Sequence, residues 1–312
     1  MQKLLIALVS VCWMGLNWAQ ASGQPQANTS VVATPNSALP RPAALASATD
    51  SQVSLPGTRS FSLHNAQGSE YRIFVSEPLD PVPPRNGYPV LVVLDANSVF
   101  AAFSDALRLQ RTEFGKAIIV GVGYPTDQPF DFHRRSYDFS PPLPVGLAPE
   151  PGSPRLGGQD ELLDFLQHTL QPEIARRYPV DPDRLSLYGH SFGGMFALHA
   201  LFTRPELFSH YVSASPSLWW QDRYLLNEER AFMQRAQAGQ LPLVHARLLL
   251  IAGGRETPHT TREAAALNVR LQPLSALGLS VAYETLPDET HMSMPVASVT
   301  RVLREVFTTR RR

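Results

Sequence analysis

Residues Leu185–Leu198 read LSLYGHSFGGMFAL. A short apolar run, Leu185 to Tyr188, enters Gly189-His190-Ser191-Phe192-Gly193-Gly194 and leaves as the start of a helix. G-x-S-x-G between a strand and a helix is the spacing of a nucleophile elbow. The serine must stand at the apex of a tight turn so that its hydroxyl clears the sheet. Side chains at Gly189 and Gly193 are expected to collide with the neighbouring strand and helix. Gly194 and Ala197 are expected to let that helix lie close to the sheet. Ser191 is therefore the candidate nucleophile.

Such a serine needs a base and an orienting acid, and in this kind of sheet they follow in the order Ser, Asp/Glu, His, on loops after later strands. The apolar run Arg247–Ala252 leads into Gly253-Gly254-Arg255-Glu256, and the last run leads into Pro287-Asp288-Glu289-Thr290-His291. His291 is thus the candidate base, taking the Ser191 proton and returning it to the leaving alcohol. Glu256 is the first candidate acid, and Asp288, three residues before the histidine, is the alternative. A Ser–His dyad without a close acid also fits the pattern. His190 occupies the variable position of the elbow and is expected to pack beside the site. The oxyanion hole is expected at the Phe192 N–H and at an N–H of the loop after the Pro89–Leu94 strand. That loop reads Asp95-Ala96-Asn97, and Ala96 is the candidate donor.

The flanking pattern alternates strands with helices. Ser60–His64 and Glu70–Ser76 read as an antiparallel pair. Pro89–Leu94 and Ala117–Val122 are continuous apolar runs suited to strands buried on both faces. Further strands are expected at His210–Ala214, Ala246–Ala252 and Val281–Leu286. Helices are expected over Gln159–Tyr178 with a kink at Pro172, over about Arg223–Gln237, over Thr261–Leu271 behind a Thr260/Glu263 capping box, and over Pro295–Phe307. Pro125–Gly158 reads as a long loop over the site. The fold class is α/β, a mostly parallel central sheet with helices on both faces, spanning residues 56–312.

Ahead of this domain, Met1–Ala21 has a lysine, an apolar core from Leu4 to Trp18 and an Ala19-Gln20-Ala21 cleavage site, the make-up of a signal peptide. Residues 22–55 are rich in Ser, Ala, Pro, Gln and Asn and read as a flexible leader. The sole cysteine, Cys12, lies in the signal, so the exported chain is expected to fold without disulfides, in the periplasm. The full chain carries 27 Lys+Arg and 27 Asp+Glu, and the signal takes one lysine with it. That near-neutral balance gives no reason to expect nucleic acid or a membrane surface as partner, and the apolar run of the signal is too short for stable membrane insertion. No His/Cys cluster stands at metal-ligand spacing, and H-E-x-x-H is absent.

The run GHSFGGMFALHALFTRPELFSHYVSASPSLWW resembles the putative-esterase family of α/β-hydrolases, and within it the siderophore esterases that hydrolyse enterobactin and salmochelin. VLVVLDANSVF is similar to that family's oxyanion strand and loop, with Ala96 where Gly is usual. Arg135-Ser-Tyr-Asp138-Phe-Ser-Pro and ETLPDETHMSM also match, so that the likeness spans about residues 58–308. The resemblance implies an α/β-hydrolase fold and serine-based ester hydrolysis that needs no metal cofactor. It implies, as substrate, a ferric catecholate siderophore of the enterobactin type, a trianionic complex of a cyclic trilactone. Arg135, with Arg134 as second candidate, would face that charge, unless paired with Asp138 or Asp131. Trp219 and Trp220 would stack on catechol rings or pack under the Pro-rich loop. A general exported carboxylesterase on small acyl or aryl esters is the alternative, and a non-catalytic ligand-binding protein is a third reading that the Ser191–His291 pair disfavours.

Overall fold

The computed structural model describes residues 53–308 apart from 81, 145, 149–150, 242 and 244–245. The signal peptide and nearly all of the leader read from the sequence lie outside the described residues.

Eight strands form one sheet: β1 (Thr58–His64), β2 (Glu70–Ser76), β3 (Tyr88–Val93), β4 (Ile118–Gly123), β5 (Val180–His190), β6 (His210–Ala214), β7 (Arg247–Gly253) and β8 (Ser280–Leu286). Their order is β1-β2-β4-β3-β5-β6-β7-β8. β2 runs antiparallel to β1 and β4, and every pairing from β4 to β8 is parallel. The expected mostly parallel α/β sheet is observed.

The central strands carry apolar side chains at consecutive positions because both faces are covered. On β3, Val90 and Val92 join the core on one face while Leu91 and Val93 join the core on the other. Ile118 and Ile119 of β4 divide in the same way. The helices are α1 (Ala96–Leu109), α2 (Arg111–Phe114), α3 (Phe132–Asp138), α4 (Gln159–Phe165), α5 (Gln171–Arg177), α6 (Phe192–Thr203), α7 (Trp220–Arg223), α8 (Leu225–Gln237), α9 (Pro258–Leu271), α10 (Met294–Ala297) and α11 (Val299–Phe307). Val99, Phe103 and Leu107 of α1 and Val302, Leu303 and Val306 of α11 cover one face, and α4, α6, α8 and α9 cover the other. The helix after the elbow is buried almost all round, from Gly193 to Phe202, which is why its sequence has no polar stripe.

Three local expectations change. The Pro125–Gly158 segment is not all loop, since Asp131 caps α3 by accepting the Arg134 N–H at 3.0 Å. The Gln159–Tyr178 helix has three parts, α4 and α5 being joined by a wider π turn over Leu166–Leu170. Pro172 is the second residue of α5, directly after the π turn, in a run that stays helical across both junctions. Helix α9 starts at Pro258 rather than Thr261. Thr257 is its cap, accepting the Thr260 N–H at 3.4 Å, so the Thr260/Glu263 pair is already inside the first turns.

Candidate active site

Every non-glycine residue with positive φ among the described residues lies at or beyond the carboxyl end of β3, β5 or β6: Asp95, Ser191, Ser215 and Gln221 to Arg223. Strain of this kind persists where the surrounding structure fixes the backbone, and it gathers at functional sites. Ser191 caps α6 with φ 60 and ψ −117. Its N–H donates to the Ala214 carbonyl at 2.9 Å, and its own carbonyl accepts the Met195 N–H at 3.0 Å. A Cβ on Gly189 would lie 2.0 Å from the Gly193 carbonyl oxygen, so the turn closes only with glycine there. One on Gly194 would lie 2.8 Å from the Ala214 oxygen, where helix meets sheet. At Gly193 the expected collision is missing, because the nearest atom to an added Cβ is the Asp95 Oδ2 at 3.6 Å, an ordinary contact.

Ser191 Oγ lies 3.0 Å from His291 Nε2, and His291 Nδ1 lies 2.9 Å from Glu256 Oε2. An ionised carboxylate only accepts, so the imidazole proton belongs on Nδ1, which leaves Nε2 free to accept the serine hydroxyl. The Glu256 side chain is 1% exposed, while His291 is 40% exposed and open to a substrate. Burial alone would raise the Glu256 carboxyl. The hydrogen bonds it accepts from His291, Ser215 Oγ and the Gly253 N–H outweigh burial and hold it below the usual range. Asp288, the alternative acid, is exposed.

Backbone contact between two loops sets this geometry. The Gly254 N–H donates to the Leu286 carbonyl at 2.7 Å, and the Arg255 N–H to the Glu289 carbonyl at 2.9 Å. A Cβ on Gly253 would sit 2.4 Å from the Glu289 oxygen, and one on Gly254 2.4 Å from the Pro287 oxygen. Gly253-Gly254 is thus the seam that lets the acid-bearing and histidine-bearing loops touch.

Phe192 and Ala96, the two candidate oxyanion donors, are the first residues of α6 and α1, which start at the ends of the adjacent strands β5 and β3. The first amide of a helix has no acceptor within it. His190 is buried with its ring centroid 4.6 Å from that of His291. Burial, then His291 and Arg135, keep its imidazole neutral, well below the ordinary value. The Trp220 ring meets Phe192 edge-on at 4.7 Å and Trp219 at 5.8 Å, and both tryptophans are half-buried beside the elbow.

Arg135 is not free over the pocket. Its Nε and Nη2 each donate to one Asp95 carboxylate oxygen at 3.0 Å, a pairing with neither Asp138 nor Asp131. Arg134 instead stacks over the rings of Tyr71 and Tyr124, with Nη2 3.6 Å from Asp138. Sequence reasoning also passed over Ser215 and Ser217. Ser215 binds the Glu256 carboxylate, and Ser217 Oγ lies 3.3 Å from Ser191 Oγ. Their signal was the Ser-Pro-Ser turn directly after β6, the strand beside the elbow strand.

Asp138 is 2% exposed, and burial pushes its carboxyl up to about 6, with Arg134 pulling it only partly back. Between about pH 6 and the ordinary carboxyl value of 3.8, the folded state therefore takes up a proton that the unfolded chain does not. Wild type should gain stability relative to Asp138→Asn as the pH falls through that window, by about 3 kcal/mol at most. Thermal midpoints of the two proteins at pH 4, 5, 6 and 7 check this. A pH-independent difference would mean that the carboxyl titrates normally.

Comparison with known proteins agrees in extent with this fold. The model of the family described as Putative esterase matches residues 64–292. The chain is 36% identical to the ferri-bacillibactin esterase BesA of Bacillus subtilis (strain 168), over 82% of this chain and 91% of that protein. It is 30% identical to the apo-salmochelin esterase of Escherichia coli O6:H1, over 76% of this chain and 74% of the relative. Among solved structures, the BES protein from Bacillus cereus superposes with a TM-score of 0.77 at 31% identity, covering 84% of this chain and all of that one.

Proposed function

Because the chain belongs to the Putative esterase family and is a serine carboxylic-ester hydrolase, we propose that it opens the ester backbone of ferric enterobactin-type siderophores, with Ser191 as nucleophile, His291 as base and Glu256 as orienting acid. The observation that carries the site is the continuous Ser191–His291–Glu256 hydrogen-bonded chain, with links of 3.0 and 2.9 Å.

In this mechanism His291 Nε2 takes the Ser191 proton as Oγ attacks a lactone carbonyl. The oxygen that becomes negative is bound by the N–H groups of Phe192 and Ala96. Collapse breaks the bond between acyl carbon and ester oxygen, and the imidazolium returns its proton to the departing hydroxyl. A water molecule, deprotonated by His291, then attacks the acyl-serine, releasing a carboxylic acid and restoring Ser191. Glu256 holds the Nδ1–H tautomer and stabilises the imidazolium, and Ser215 and Gly253 keep the carboxylate in place.

The substrate reading is supported by the activities for which the relatives above are named and by the half-buried aromatic cluster of Phe192, Trp219 and Trp220 beside the elbow, which suits catechol rings. Opening the trilactone would weaken iron coordination. The signal-like Met1–Ala21 supports a periplasmic setting, and no helix among the described residues is long and apolar enough to cross a membrane.

The test is hydrolysis of ferric enterobactin by the exported protein, with linear products resolved by chromatography, beside hydrolysis of p-nitrophenyl butyrate. The expected result is a far higher kcat/KM for the siderophore. The reverse ranking would leave a general exported carboxylesterase acting through the same serine.

A further inference from the structure

We propose that Arg135 is a positioning residue that holds the loop between β3 and α1 in its oxyanion-binding shape by clamping Asp95, and that it is not a ligand for the substrate. This rests on the reading of Ser191 as nucleophile and of the Phe192 and Ala96 amides as oxyanion donors.

Asp95 directly precedes Ala96 and has φ 50 and ψ 40, a left-handed conformation that a non-glycine residue enters only when held there. Its carbonyl is tied down by the Ser98 N–H at 3.0 Å and the Ser98 hydroxyl at 2.8 Å. Its carboxylate receives the two-pronged bond from Arg135, both prongs at 3.0 Å, with the arginine 8% and the aspartate 5% exposed. A planar fork on a carboxylate fixes direction as well as distance, which a lysine cannot do.

The same guanidinium lies 5.8 Å from the centroid of the Phe192 ring, with Phe130 at 5.6 Å and Phe139 at 5.5 Å. Arg135 therefore touches the side chain of one candidate donor residue and the residue before the other. The two donors start different helices on different strands, so nothing local in the chain fixes their separation. Beyond the pairing of β3 with β5, which ends at Leu94 and Tyr188, a buried cross-link between them does. The arginine charge is already met by Asp95, which leaves little of its field for an anionic ligand. Losing the fork would let Asp95 relax from its left-handed conformation and move the Ala96 amide. Small displacements of an oxyanion donor are costly because its energy is realised in the transition state.

Two variants separate the possibilities: Arg135→Lys, which keeps the charge and loses the fork, and Asp95→Asn, which keeps the shape and loses the charge. Each is assayed on neutral p-nitrophenyl butyrate and on ferric enterobactin, with kcat expressed per Ser191 titrated by diisopropyl fluorophosphate, so that unfolded protein is not counted. The expected result is a loss of kcat of about 10- to 100-fold on both esters with KM within about two-fold. The Arg135→Lys/Asp95→Asn double variant should be no worse than the poorer single one. Unchanged kcat on the neutral ester with a raised KM for ferric enterobactin would overturn the proposal and make Arg135 a substrate ligand. Wild-type kcat on both esters would overturn it equally. Should Arg135→Lys fail to fold, Asp95→Asn carries the test alone. Turnover surviving in Ser191→Ala would be a separate failure, that of the nucleophile assignment.

Discussion

Ser191→Ala is expected to lower kcat for ester hydrolysis by at least about 10⁴-fold, the scale seen when a nucleophile is removed from a hydrolase whose other groups remain. Ser191 Oγ is the atom placed 3.0 Å from His291 Nε2, on a turn held at positive φ. Ser217 Oγ, 3.3 Å away, is no substitute, because Ser217 is buried and His291 Nε2 bonds the Ser191 hydroxyl instead. Affinity should survive. An isothermal titration with ferric enterobactin should give a Kd close to that extracted from wild-type single-turnover data, because the oxyanion donors and the aromatic cluster of Phe192, Trp219 and Trp220 are untouched. Mass spectrometry after exposure to diisopropyl fluorophosphate should show one adduct on wild type and none on the variant. Undiminished turnover with an adduct elsewhere would sink the mechanism.

Glu256→Gln is expected to cost about 10³- to 10⁴-fold in kcat, and Asp288→Asn less than a few-fold. A glutamine can present its amide N–H to His291 Nδ1, which drives the ring proton to Nε2, where it faces Ser191 and cannot accept. The carboxamide oxygen keeps the acceptor position now used by Ser215 and Gly253, and those two donors turn the NH2 toward His291. Asp288 is exposed and lies outside that arrangement. Comparing kcat for the two variants between pH 6 and 9 is the measurement. A small effect from both would reduce the machinery to a Ser–His dyad, and a larger effect from Asp288→Asn would exchange the acids.

Much of this was legible along the chain. Consecutive apolar positions in β3 and β4 mark strands covered on both faces, and a glycine-flanked serine between strand and helix marks the elbow, because each pattern reflects a backbone period or a steric limit acting within a few residues. Less legible were features whose cause lies elsewhere. The Thr260/Glu263 pair looked like a helix start, yet Pro258 and the Thr257 cap begin the helix one turn earlier. Gly193 looked sterically required, but the Asp95 carboxylate and the Leu94 side chain beside it lie only at ordinary contact distance.

By itself the sequence determined the α/β class, the order of elements and the loops on which serine, acid and histidine stand. Only the tertiary structure decided which carboxylate reaches His291. Glu256 lies 35 residues away in sequence and Asp288 only three, but β7 and β8 are neighbours, and Gly253-Gly254 lets their loops meet. It also decided that Arg135 meets Asp95, 40 residues earlier, rather than Asp131 or Asp138 nearby. The physical reason is common to both. A helix or strand is specified by neighbours in sequence, whereas an ion pair or hydrogen bond between loops depends on which strands lie side by side, and that order is settled only when the whole sheet packs.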